Sequence, residues 1–123
     1  MKDKLIIMFG SQISGRNNTD SDFDIAVLAK KQLTITERTR LCGYLAKKLN
    51  INEDKIDLTD LHTASPLLLY EVAKKGKLLE GNAFDFTRFQ VRAWKIYQDT
   101  AKFRRLTSQM LKKYVQRIHT EKA

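Results

Sequence analysis

The chain has a single cysteine, Cys42, and a single proline, Pro66, in its 123 residues. One cysteine excludes an internal disulfide and makes a reducing, cytosolic compartment the default. Long apolar runs are missing as well. The longest, LIIMF (5–9) and PLLLY (66–70), fall far short of the roughly 18 residues needed to cross a bilayer. The start, MKDKLIIMFG, is basic and then apolar but has no small-residue cleavage site, so it reads as a strand and not a signal peptide. No internal repeat or low-complexity tract is present. The aromatics, 9% of the chain, form no closely spaced platform on which bases could stack, which disfavours a dedicated RNA binder. Acidic residues are scarce toward the C-terminus. Residues 85–123 hold 10 Lys and Arg against 3 Asp and Glu, whereas residues 1–84 hold 13 against 11. The last third is therefore a cationic arm. It suits an acidic partner surface, RNA or a nucleotide, and equally a solvated helix face that keeps the protein soluble.

What remains is a composition of 42% hydrophobic and 30% charged residues, enough for one compact domain with a core and too short for two. Strands are expected at Lys4–Phe9, Phe23–Ala29 and Lys55–Leu61, where apolar runs or alternation appear between turn-forming residues. Thr34-Ile35-Thr36-Glu37 has the form of a capping box, so a helix is expected from Ile35, with Leu41, Leu45 and Leu49 on its apolar side and Asn50 at its end. Cys42 falls within that pattern and reads as core filler. Ser65-Pro66 is a cap followed by a first helical position; that helix carries Leu68, Leu69, Val72 and Ala73 and stops at Gly76. A short KLLEG segment precedes a cap at Asn82. From Ala83 to about Ile118 the pattern is helical, with Phe89, Ala93, Ile96, Thr100, Phe103, Thr107, Met110, Tyr114 and Ile118 in one stripe. An unbroken helix of that length, roughly 50 Å, exceeds the width of a small domain. It must break, near RRLTSQ, or project and bury its stripe against another chain. Trp94, Val91 and Leu106 lie off the stripe. The fold class expected is α+β: a small mixed sheet with flanking helices and a long C-terminal amphipathic helix. Residues 1–81 form its core and residues 82–123 a basic helical arm packed on that core, on a partner, or on both.

The chemistry is concentrated in FGSQISGRNNTDSDFDIAVL, residues 9–28. Asp22 and Asp24 flank Phe23, so on a strand they point to the same face. Asp57, between Ile56 and Leu58, occupies the same kind of position on a later strand. Two carboxylates about 4 Å apart at an effective dielectric near 20 repel by about 4 kcal/mol. Three such pairs would cost on the order of 10 kcal/mol, comparable with the stability of a whole domain. Cations between the charges remove that cost, and hard oxygen donors completed by substrate phosphates describe Mg²⁺. Gly10-Ser11 supplies the complementary half, since glycine lets backbone N–H groups approach a phosphate and serine adds a donor. A phosphate loop with a metal-binding acid cluster implies phosphoryl or nucleotidyl transfer. The loop is no Walker A motif, lacking Gly-Lys-Ser/Thr. Nor is DSDFDI an EF-hand, with Ile25 where glycine is needed and Lys31 where glutamate should chelate. Asp60, an odd number of residues from Asp57, falls on the opposite strand face and is assigned a surface or capping role. His62 is assigned to a loop or cap, and Tyr97 and Tyr114 to packing or an interface.

Gly-Ser, ten intervening residues and then Asp-x-Asp resembles the signature of the DNA polymerase β-like nucleotidyltransferase superfamily. The short chain, with KIDLTDLHTASPLLLYEVAKKGKLLEG downstream, is similar to its minimal nucleotidyltransferase branch, the MntA-type antitoxins paired with HEPN-domain toxins of the HepT type. The resemblance spans about Leu5 to Gly81. It implies that Gly10 and Ser11 hold nucleotide phosphates, that Asp22 and Asp24 coordinate two Mg²⁺ ions, and that Asp57 is the third carboxylate, beside the attacking hydroxyl. Relatives often carry a basic residue between the serine and the next glycine. Here Gln12, Ile13 and Ser14 fill that interval, and Arg16 is the nearby cation and a candidate nucleotide contact. Relatives also commonly begin with a helix before the first strand. This chain begins almost on the strand, leaving one sheet face bare or covered by the C-terminal helix. The implied activity is transfer of AMP from ATP to a tyrosine of the partner RNase toxin, in a hetero-oligomer of a type VII toxin–antitoxin pair in the cytoplasm. Two alternatives stand beside it: a module that neutralises its partner by masking alone, through the stripe and arm, and a nucleotidyltransferase acting on a small molecule or RNA end.

Overall fold

The computed structural model describes residues 4–10 and 22–121. Four strands and three helices follow in the order β1 (Leu5–Phe9), β2 (Phe23–Leu28), α1 (Ile35–Leu49), β3 (Ile56–Asp60), α2 (Pro66–Lys75), β4 (Lys77–Glu80) and α3 (Ala83–Glu121), with short 3-10 turns at Glu53–Lys55 and Leu61–Thr63. The sheet order is β3-β2-β1-β4. β1 runs antiparallel to β2 and β4, while β2 and β3 are parallel, joined by the α1 crossover. This is the mixed sheet with flanking helices that the sequence leads one to expect.

Alternation along the strands divides the core in two. Ile6, Ile25, Val27 and Leu58 pack with Leu41 and Leu45 of α1 on one face. Leu5, Ile7 and Ala26 pack with Val72 and Ala73 of α2 and with Phe89 and Ala93 of α3 on the other. Among the described residues, Ile6, Ile7, Ile25 and Leu45 are fully buried, each contributing about 1.5–3 kcal/mol. The C-terminal helix, with α2, thus covers the face that would otherwise be bare.

Local chemistry fixes the helix starts. Glu37 N–H donates to Thr34 Oγ1 (3.2 Å) and Thr34 N–H to Glu37 Oε1 (3.0 Å), completing the capping box. α1 ends at Asn50 in the left-handed conformation (φ 55). Ser65 Oγ caps α2 ahead of Pro66. Asn82 Oδ1 accepts from the N–H groups of Phe84 and Asp85 at the start of α3. Cys42 is half-buried beside the α1 core, and burial pushes its thiol pKa up, which suits filler and not a nucleophile.

One detail goes beyond the sequence expectation, and another decides between its alternatives. KLLEG is not merely a connector: Lys77–Glu80 is an edge strand against β1, with a register irregularity between Ile6 and Ile7. Of the two courses open to the last helix, a break near RRLTSQ or projection, the second holds: the 39 residues of α3 run on as one helix, about 58 Å long.

Candidate active site

The pairing of three strands assembles the site. Asp24 lies opposite Phe9 in the antiparallel β1–β2 pair and beside Asp57 in the parallel β2–β3 pair. Because strand side chains alternate, Asp22, Asp24 and Asp57 all belong to the face that α2 and α3 cover further along the strands. They stand at the N-terminal ends of β2 and β3, beside the C-terminal end of β1. Asp24 is half-buried there, and Asp22 and Asp57 are exposed.

Asp24 is the electrostatic centre. Its pKa is raised above the ordinary value of 3.8, first by burial, then by the charges of Asp57 and Asp22, and by a side-chain hydrogen bond with Asp57. A carboxyl group pressed toward its protonated form by burial and two neighbouring carboxylates is a position that a divalent cation would relieve. The donors are hard oxygens, as Mg²⁺ prefers, so the residues fit that ion. Among the described residues, no group of three or more acidic, histidine or cysteine side chains is drawn close enough together to hold a metal ion. Asp24 and Asp57 are direct neighbours across β2 and β3, and Asp22 is exposed beside them.

Gly10 closes the site from the β1 side, and its role is more specific than a generic cradle. Its φ is +90, and a Cβ built on it would lie 3.0 Å from Asp24 Cγ, 3.1 Å from Asp24 Cβ, and closer still to Asp24 Oδ2. The first anion that the bare glycine backbone admits is therefore the chain's own carboxylate. Ser11 and Arg16 lie outside the described residues. So the structure brings Gly10, Asp22, Asp24 and Asp57 into one neighbourhood.

The residues set aside on sequence grounds turn out to support the structure. Asp60 caps the Leu61–Thr63 turn, as one of its two assigned roles required, but it is not a surface residue. It is 3% exposed, on the α1 side of the sheet, and accepts from Leu33 N–H (2.8 Å) and His62 N–H (3.0 Å). The His62 contact, an aspartate bonding the amide two residues on, is the one signal in the sequence that could have revealed it. His62 Nε2 sits 2.6 Å from the Ala29 carbonyl oxygen, which ties the ring to the end of β2 and away from the carboxylates.

Residues 2–84 match the family model described as Polymerase beta, Nucleotidyltransferase. The chain belongs to that family. Among its relatives is the protein adenylyltransferase MntA of Shewanella oneidensis, 39% identical over 97 residues that make up 79% of this chain and 68% of the relative. Similar solved structures include the crystal structure of a toxin–antitoxin with AMP-PNP (TM-score 0.72, 35% identity, 90% of this chain and 88% of that one). Another is a tri-AMPylated Shewanella oneidensis HEPN toxin in complex with its MNT antitoxin (TM-score 0.65, 32% identity, 90% and 86%). Family membership gives the carboxylate-bearing sheet a chemical context, since nucleotidyl transfer is the reaction class that phosphate-facing acids serve. No helix among the described residues is long and apolar enough to cross a membrane.

Proposed function

We propose that this chain is a cytoplasmic, Mg²⁺-dependent protein adenylyltransferase. It moves AMP from ATP to a tyrosine of a cognate HEPN-type RNase toxin and is thereby the antitoxin of a type VII pair. The observation that carries the reading is the pairing of Asp24 with Asp57 in register across β2 and β3, beside Asp22 and against Gly10. The similarity to MntA and to toxin–antitoxin structures with AMP-PNP or AMPylated toxin supports the choice of nucleotide and acceptor.

In this scheme Asp22, Asp24 and Asp57 would hold two Mg²⁺ ions, and ions bound there would supply charge neutralisation for the phosphates and a lowered pKa for the acceptor hydroxyl. Gly10, Ser11 and Arg16 orient the triphosphate. The tyrosine oxygen bonds to the α-phosphorus, the bond from that phosphorus to the β-bridging oxygen breaks, and pyrophosphate leaves with the electron pair. Asp57 takes the hydroxyl proton. Its exposure at the rim of the sheet suits an acceptor carried on another protein.

Incubating the chain with Mg²⁺, ATP labelled at the α-phosphate and the purified toxin should transfer label to the toxin. Asp24→Asn should abolish transfer without loss of fold. Absence of label with a folded, bound toxin refutes the activity. An Asp22→Ala, Asp24→Ala double variant that still neutralises the toxin fully would support masking instead.

A further inference from the structure

The distal half of α3 leaves the domain with an apolar face that no described residue covers. Buried positions on the helix end at Ala93. Ile96, Tyr97, Thr100 and Ala101 are half-buried, and from Lys102 on nearly every described side chain is exposed. Phe103 is 73% exposed, Met110 69% and Tyr114 62%, and their spacing puts them on one side of the helix. At its near end this face opens into an apolar notch of about 470 Å³ between the start of α2 and the middle of α3, walled by Pro66, Leu67, Phe103, Thr107 and Leu111. The notch is built on a fixed frame. Tyr97 of α3 stacks on Tyr70 of α2 with ring centroids 4.0 Å apart. The Arg104 guanidinium lies 3.8 Å from the Tyr97 centroid and donates to Thr100 Oγ1 at 2.7 Å. A notch held open in this way needs little rearrangement to receive a side chain.

Charge selects the occupant. Residues 101–123 carry seven Lys and Arg against one Glu. A second copy of the arm would bring like charge onto like charge along its whole length. RNA would match the charge but leave the apolar side chains in water. Most of a helix's stability in a protein comes from packing its amphipathic face, so a partner that buries the face also stabilises the helix. We infer that the distal half of α3, with the α2 notch, is the docking surface for the toxin, which meets it with an apolar helical ridge flanked by acidic side chains. Naming the toxin as occupant rests on the proposed function. The notch adjoins the start of α2, beyond the C-terminal end of β3, whereas the carboxylates stand at the N-terminal ends of β2 and β3, so holding the toxin and modifying it are separable.

The test measures binding of the cognate HEPN toxin by calorimetry without nucleotide, at low and moderate salt. A Phe103→Asp, Leu111→Asp double variant should weaken Kd about 100-fold or more, while the thermal shift of the isolated chain with Mg²⁺ and ATP stays as in the wild type. Lys112→Glu with Lys113→Glu should weaken Kd about tenfold, chiefly at low salt. Both pairs are exposed, and circular dichroism checks that the helix is retained. A double variant binding toxin within twofold of the wild type overturns the assignment. So does loss of self-association or of RNA binding with toxin affinity kept, since another occupant is then identified. Wild-type binding through the arm without AMP transfer would remove the catalytic reading and leave the docking surface intact. Transfer by a wild type whose arm variants bind normally would do the reverse.

Discussion

Replacing Gly10 by alanine tests the site through one methyl group. The residue sits at φ +90, which L side chains rarely adopt, and the new Cβ would press on the Asp24 carboxylate, with Asp24 Cγ only 3.0 Å away. Backbone strain of this kind costs about 1–3 kcal/mol, which for a domain of this size lowers Tm by roughly 4 °C per kcal/mol. The larger effect falls on chemistry. Asp24 has only two side-chain torsions, so its carboxylate must swing away, and a misplacement of about 1 Å at a reacting centre costs about 100-fold in rate. Gly81→Ala is the control: it also forces a positive φ (+125) and crowds Leu5 Cδ2 at 2.7 Å and the Lys4 carbonyl at 2.9 Å, but far from the carboxylates. Both variants should melt early. Only Gly10→Ala should lose AMP transfer per folded molecule, measured by single-turnover labelling at a temperature where both are folded. If Gly10→Ala transfers AMP within threefold of the wild type, the close approach of Asp24 to the β1 turn has no catalytic weight and the site must be redrawn.

Three further outcomes follow from the geometry. Because the folded-state pKa of Asp24 is raised, its ionisation works against folding, so the metal-free protein loses stability as pH rises through that value. Denaturant melts in EDTA from pH 4 to 8 should show this loss, Asp24→Asn should flatten it, and Mg²⁺ should raise Tm only in the wild type; an Asp24→Asn variant no more stable than wild type at pH 8 in EDTA contradicts it. Asp60→Ala leaves the Leu33 and His62 amides without their acceptor, which should cost about 2–4 kcal/mol in urea unfolding; a cost under half a kcal/mol would mean that water replaces the carboxylate. Glu80 is held below the ordinary carboxylate range by its hydrogen bonds from Lys48 and Tyr44. The stability it contributes is therefore present at neutral pH and lost as pH falls through its lowered value, so Glu80→Gln should flatten the acid limb of the stability profile, and an unchanged limb would show the cluster to be inert.

Much of the fold was legible because its signals are local. Thr34 with Glu37, and Ser65 with Pro66, place the starts of α1 and α2 where they are found, since a cap is satisfied within one turn of chain. The face shared by Asp22 and Asp24 follows from strand alternation, and the offset of Asp60 from Asp57 correctly put them on opposite faces. What escaped depends on distant partners. β4 is four residues long and is a strand only because β1 offers an edge. The burial of Asp60 depends on the segment before α1, whose Leu33 amide it accepts, and no alternation pattern reports what covers a face. The continuity of α3 past Ala101 was undecidable from periodicity, because a stripe looks the same whether or not something packs on it.

The parallel pairing of β2 with β3 has a consequence for biosynthesis. Antiparallel neighbours can zip together as soon as a turn forms, but a parallel neighbour must wait for its crossover. Asp24 therefore emerges from the ribosome long before Asp57, and the two meet only after α1 has docked and the later strand has closed beside the earlier one. A chain made only as far as α1 carries Asp22 and Asp24 but not Asp57, so the pairing of the carboxylates is absent. The carboxylate pair is therefore assembled only once β3 has docked beside β2, and no piece of the chain that stops short of β3 contains it.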